Sequence, residues 1–292
     1  MPDLIAFLTD YGTRDGFAAV CHGVAATRAP AARVLDVTHD VPPQDVRHGS
    51  VVLARVARHL PPAVYVAVVD PGVGTARRGL ALRAGTSMLV GPDNGLLPPA
   101  ADVLGGVTDA YALTNPALWL PEVERTFHGR DVFMPVGAFL AGGGPLGEVG
   151  DQVDAGSLVR LPAPARTRTA ASLTAEVTYV DHYGNVQVAG DEADLALLAD
   201  WAVQGWVDVV AAAPVRTVQT GEAAGAGQAG EPGGVRDRAR VGRAFGDVPA
   251  GELLAYLDSD RRLALAVNEG SAAARLRVRG GSLVTVAAPA GG

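Results

Sequence analysis

The chain of 292 residues contains no lysine: every one of its 24 Lys/Arg positions is arginine. A phosphate-loop lysine and a Schiff-base lysine are thereby excluded. Cationic chemistry falls to arginine, which stays protonated and cannot serve as a base at ordinary pH. Cysteine is nearly absent as well. With Cys21 alone, a disulfide framework and a thiolate metal site are excluded, and a reducing cytoplasm is the expected compartment. No apolar run approaches roughly 18 residues, and the opening "MPDLIAFLTD" has no basic region ahead of its apolar stretch. Neither membrane insertion nor secretion is expected. A net charge of -7 without a basic stripe argues against nucleic acid.

Familiar catalytic signatures are missing too. The turn after the first apolar run, "LTDYGTRDG", lacks the G-x-G-x-x-G spacing of a dinucleotide site. There is no G-x-S-x-G nucleophile elbow. The six histidines form neither H-E-x-x-H nor another compact ligand pattern, so no metal and no cofactor are expected.

What is present is an alternation of short apolar runs with helical periods. "LIAFLTD", "RVLDVTHD" and "AVYVAVVD" read as strands, with "GFAAVCHGVAATRAP" and "DVRHGSVVLARVARHL" as helices between them. "GLALRA" and "SMLVGPDNG" follow, and "DVFMPVGAFLAGG" reads as helix. Residues 1–158 are therefore expected to form an α/β/α layered domain on a mainly parallel sheet. The proline-bearing, basic stretch 159–168 reads as a linker. Residues 169–292, with "AEVTYVDHYGNVQVAG" as two strands about a turn, read as a smaller antiparallel β-barrel domain. "ELLAYLDSDRRLALAVNEGSAAARLRV" and "GSLVTVAA" continue in the β manner. Within this domain the Gly/Ala/Glu-rich residues 218–240 read as a flexible insert without a catalytic role.

Three of the N-terminal strands end alike, at Asp10, at His39-Asp40 and at Asp70. A strand-end aspartate is commonly a helix cap or turn residue. Three on one edge of a parallel sheet suggest a polar pocket, because ligands sit beyond the carboxyl ends of such strands. Asp70 ends an almost wholly apolar run, and Arg77 returns from the next loop in "VVDPGVGTARR". Two readings stand. Asp70 and Arg77 are a local ion pair bracing a turn, with His128 a surface histidine. Alternatively, the three form a polar cage holding one water toward an electrophile, as hydrolysis requires.

The ordered set "FLTDYGTRDGF", "VVDPGVGTARR", "VGPDNGLL", "TFHGRDVF", "VDHYGNV" and "NEGSAA" resembles the S-adenosyl-L-methionine hydrolases, also called SAM hydroxide adenosyltransferases, to which the fluorinase and chlorinase are related. The resemblance implies an N-terminal α/β/α layer, a C-terminal β-barrel, and a homotrimer with sites between subunits. It implies hydrolysis of S-adenosyl-L-methionine to adenosine and L-methionine, with Asp70, Arg77 and His128 as the water-holding trio. Halogenases of this kind place tyrosine where Asp70 stands. Formation of a 5′-halo-5′-deoxyadenosine is therefore the alternative activity, and non-catalytic adenosine or S-adenosyl-L-methionine binding a third. The substrate residues implied are Asp10 at the ribose hydroxyls and Asp15 and Asp181 near the methionine ammonium. Asn185 and Tyr183 are implied at adenine, with Phe245 on its face. Ser259 falls near the methionine end, and Asn268 and Glu269 lie in a segment touching adenine through its backbone. Where the halogenases pair serine with arginine, Ser259 is followed here by Asp260, with Arg261 one residue further on.

Overall fold

A computed structural model describes residues 3–202, 205–212 and 234–289. The chain divides into two compact units, residues 1–162 and 163–292. In the first, β1 (Leu4–Thr9), α1 (Phe17–Arg28), β2 (Arg33–Thr38), α2 (Val46–Ala57) and β3 (Val64–Val68) alternate as the apolar runs require. There follow β4 (Gly79–Ala84), β5 (Ser87–Pro92), α3 (Pro98–Val103), β6 (Val107–Ala112) and α4 (Met134–Ala141). The sheet order is β2-β1-β3-β5-β4-β6, with β4 antiparallel to both of its neighbours. Alternate residues of β1 and β3 enter opposite cores. Ile5, Phe7, Val64 and Val66 face the layer of α1 and α4, while Leu4, Ala6, Leu8 and Tyr65 face α2 and α3. Burial on both faces is why these strands read as continuous apolar runs. Gly137 lets α4 approach the sheet closely, since a Cβ there would lie 2.3 Å from Cγ2 of Val66.

In the second unit, β7 (Arg166–Arg168), β8 (Ser172–Val180), β9 (Val186–Val188), α5 (Glu192–Trp201) and β10 (Trp206–Ala211) come first. They are followed by β11 (Val235–Val241), β12 (Leu253–Leu257), β13 (Leu263–Val267), α6 (Ala272–Leu276) and β14 (Leu283–Ala287). The ladder runs β14-β10-β11-β12-β13-β9-β8-β7, and β14 also pairs with β8, closing a seven-stranded barrel with β7 outside the ring. Its pairings are antiparallel except β11 with β12, which is parallel.

Three details differ from the sequence reading. Residues 235–240, assigned to the flexible insert, belong to β11. There Val235, Asp237 and Ala239 alternate with the exposed Arg236, Arg238 and Arg240, a period-2 pattern masked by its arginine content. Residues 218–233 of that insert lie outside the described residues. The stretch 159–168 is divided between the units rather than left free. Val159 N donates to Asp93, Arg160 pairs with Asp102, and residues 166–168 form β7 against β8. Finally, "SAAARL" is helical, because Ser271 Oγ caps Ala274 N at 3.1 Å ahead of an alanine run.

Candidate active site

The parallel register places the ends of β2, β1 and β3 side by side: Leu8 pairs with Thr38, and Thr9 with Val68. Asp70 follows β3 and opens two overlapping turns. Val73 N donates to Asp70 O at 3.2 Å, and Thr75 N donates to Gly72 O at 3.2 Å. Gly74 supplies the φ of 75° that this reversal needs, and a Cβ there would meet Arg125 O at 2.5 Å. The reversal returns Arg77 to the carboxylate that opened it. Arg77 Nε lies 3.1 Å from Asp70 Oδ1, and Nη2 lies 2.5 Å from Oδ2. The side chains are only 10% and 5% exposed, so this is a buried two-pronged pair. Arg78 turns the other way, to Asp93 at 2.5 Å.

His128 comes to the same guanidinium from a helix entry of unusual width. Met134 N donates to Gly129 O, an i to i+5 bond, so Gly129–Phe133 is a π-turn running into α4. Pro135 has no N–H to return to the Asp131 carbonyl, which accepts instead from Leu120 N at 2.9 Å. The Asp131 carboxylate is fully buried against Arg130 and the Glu124 amide, anchoring the preceding loop. His128 Nδ1 thereby lies 3.1 Å from Arg77 Nη2. A guanidinium can only donate, so Nδ1 is the acceptor and the neutral ring carries its proton on Nε2. Burial first, then the Arg77 charge, lower the His128 pKa from 6.5. The Asp70 pKa is raised, because burial outweighs the opposing pull of Arg77. Arg77 favours the charged carboxylate, and burial opposes it more strongly.

Arg77 and His128 form the polar corner of a cavity of about 220 Å³ whose further lining includes Leu113, Trp119, Val123 and Val132. Two contributors here lie within the quoted motifs but were given no role in the sequence reading. Tyr11 lies beside the trio, its hydroxyl directed at Gly129, where a Cβ would come within 2.0 Å. Burial, then nearby charges including Asp10 and Asp70, raise the Tyr11 pKa well above 10.0. Asn94 holds the strand end itself, donating from Nδ2 to Val69 O at 2.8 Å. Asp10 follows β1 and accepts the Gln44 amide at 2.9 Å. Asp15 is exposed in the loop before α1.

The remaining predicted residues all lie in the second unit, on turns of the barrel. Asp181 accepts the amides of Tyr183 and Asn185 on Oδ1, at 2.9 and 2.8 Å, and the Asn185 side chain on Oδ2 at 2.8 Å. Asp181 and Asn185 are thus direct partners, and Tyr183 stands 75% exposed beside them. Gly184 O accepts from Ala273 N, which ties this turn to the segment holding Asn268 and Glu269. Asn268 Nδ2 donates to Val248 O at 2.8 Å, and Glu269 is exposed with a φ of 55°. Phe245 packs edge-on against Tyr256, with centroids 5.5 Å apart. The Tyr256 pKa is raised to about 12 by burial and then by Asp258 and Asp181, which places those carboxylates near its ring. Ser259 is exposed in the turn after β12, and the neighbouring Arg261 is paired with Glu192.

Family models for the SAM hydroxide adenosyltransferase N-terminal and C-terminal domains match residues 5–150 and 175–285. The chain belongs to the SAM hydroxide adenosyltransferase family. It is 49% identical over 285 residues to a protein of Salinispora arenicola named (R)-S-adenosyl-L-methionine hydrolase, covering 97% of both chains. A protein of the same name from Thermus thermophilus is 39% identical over 286 residues, covering 95% of this chain and 96% of the relative. A fluorinase of an Actinoplanes species is 30% identical over 209 residues, covering 63% and 70%. Among solved structures, an uncharacterized conserved protein from Thermotoga maritima superposes with a TM-score of 0.80 at 34% identity, covering 97% of this chain and 99% of that one. These two hydrolase-named relatives thus match along nearly the whole chain, and the fluorinase over a shorter part of it.

Proposed function

We propose that this chain hydrolyses S-adenosyl-L-methionine to adenosine and L-methionine, and that its substrate has the (R) sulfonium configuration carried in its relatives' names. The observation that carries the reading is the Arg77 guanidinium, bonded to Asp70 on one side and to His128 Nδ1 on the other. A sulfonium makes C5′ electrophilic and leaves as a neutral thioether, so the leaving group needs no acid. What the reaction needs is one oxygen nucleophile, aligned and partly stripped of bulk water. The oxygen forms a bond to C5′, the C5′–S electron pair passes to sulfur, and the nucleophile's proton must be taken up. His128 Nδ1 is already committed and Nε2 carries a proton, so the ring orients the water as a donor. Asp70, whose pKa is raised by burial, is the proton acceptor. Arg77 stabilises the developing hydroxide.

Purified protein incubated with each sulfonium epimer should release adenosine, followed by chromatography, and the (R) epimer should react faster. No adenosine above background from folded protein counts against hydrolysis. A 5′-halo product that scales with added chloride would instead place the chain with the halogenases. The working state pairs ionised Asp70 with neutral His128. Activity should therefore hold from neutrality down to 6.5 and fall at some pH below it, as His128, lowered from 6.5, and Asp70, raised from 3.8, take up protons. A rate that climbs on acidification would reverse these protonation states. Asp10→Ala should raise KM about tenfold with kcat little changed, from loss of a charged hydrogen bond to the ribose.

Assembly as a homotrimer belongs to the same proposal. Residues 1–162 of one copy and 163–292 of a neighbour then complete each site, which suits the division of the predicted residues between the units. Light scattering of the purified protein tests it. Among the described residues no helix is long and apolar enough to cross a membrane. The single buried Cys21 suits a reducing cytoplasm.

A further inference from the structure

Away from the trio, three potential ligands from separate elements meet at the edge of the first unit's sheet. His22 Nε2, on α1, lies 2.7 Å from Asp36 Oδ1, on β2. His39 Nε2, just beyond β2, lies 3.0 Å from the same oxygen. All three ligand atoms fall within 4.8 Å of one another. The decisive feature is His39. Its side chain is 5% exposed, and its Nε2 has no hydrogen-bond partner, because the approach to Asp36 lacks the alignment of a hydrogen bond. A proton on that nitrogen would be buried without an acceptor, and a bare lone pair would face a carboxylate oxygen. Both states are unfavourable, and a cation resolves both.

We propose that His22, Asp36 and His39 bind a divalent transition-metal ion of the zinc class. Two imidazole nitrogens and a carboxylate oxygen are a usual zinc donor set. Bonds of about 2.0–2.1 Å in tetrahedral array put ligand atoms roughly 3.3 Å apart, so the two histidine–Asp36 pairs, at 2.7 and 3.0 Å, need to open only slightly, while the two imidazole nitrogens already lie within 4.8 Å of each other. The other nitrogen of His39 is already positioned: Nδ1 lies 2.8 Å from Thr9 Oγ1, so an Nδ1–H donated to that hydroxyl leaves Nε2 free for the ion. Phe7 backs both rings, at 4.9 Å from His39 and 6.0 Å from His22. His22 and Asp36 are 35% and 46% exposed, which gives the ion a route in from solvent. The ion would fasten α1 to the ends of β1 and β2. His39 O also accepts Gly12 N at 2.7 Å, so the fastening reaches the loop that follows Asp10. It stands apart from the water-holding trio, and its role is positioning rather than chemistry.

The test uses untagged full-length protein stripped with chelator, then titrated with zinc alone in equilibrium dialysis and in thermal unfolding. One zinc ion per chain and a rise in melting temperature are expected. His22→Gln, at a half-buried position, and Asp36→Asn, at an exposed one, should weaken zinc binding at least tenfold and abolish the rise. His39→Gln should do the same, but its burial makes it the less safe variant to fold. Cobalt in place of zinc should give the visible absorption of a tetrahedral site. Absence of stoichiometric binding, or equal binding by His22→Gln and the unaltered protein, overturns the proposal.

Discussion

Asp70→Asn is expected to lower kcat by about 10²–10³-fold while moving KM only slightly. Both carboxylate oxygens receive N–H groups of Arg77, and Arg77 Nη2 is shared with His128 Nδ1. An amide in that place turns an NH2 toward a guanidinium that can only donate. The guanidinium must then rotate, and the imidazole loses the contact that fixes its tautomer. On the proposed mechanism the substitution also removes the acceptor for the water's proton. Because the guanidinium is only 10% exposed, loss of its countercharge should cost roughly 3–5 kcal/mol of stability, read as a lower urea midpoint. Steady-state kinetics on the folded variant separate the two effects. Intact kcat with raised KM would put Asp70 in binding alone.

Arg77→Lys should cost about 10²-fold in kcat, although it preserves charge. Arginine spans three acceptor atoms, two on Asp70 and one on His128, and its guanidinium lies 5.2 Å from the centre of the Phe133 ring. An ammonium is a point charge on a flexible stem and cannot hold that planar arrangement. Arg77→Met carries a sharper signature. Arg77 lowers the pKa of both Asp70 and His128, so its removal raises both and moves the acid limb of the activity profile to higher pH. A lysine variant with full turnover, or a methionine variant whose acid limb stays in place, contradicts the role assigned to Arg77.

How legible the molecule was in its sequence depended on burial. β1 and β3 stood out because both of their faces are covered, while β6, with three of its six residues half-buried and one exposed, carried no comparable run. β11 was concealed by arginines on its outer face, since alternation is harder to see when the buried positions are small or charged. The contact between Asp70 and Arg77 is local, seven residues apart across a glycine turn, and was within reach of pattern reasoning. His128 was not. It arrives from a distant loop, 51 residues from Arg77, so the residues alone left the cage and a surface histidine as two standing readings, and the resemblance favoured the cage. The His22, Asp36 and His39 cluster was invisible for the same reason. Its members are 14 and 3 residues apart along the chain, and the crossover from α1 back to β2 is what brings them together.

The π-turn ahead of α4 carries one more implication. A helix advances by about 100° per residue, so dropping one amino acid between Gly129 and Phe133 would swing everything before it to another side of the axis. The imidazole would then leave the arginine with every side-chain identity unchanged. Length across those five positions is as much a part of the proposed reaction centre as the histidine itself, and a related chain one residue shorter there should be doubted as a hydrolase even with Asp, Arg and His all present.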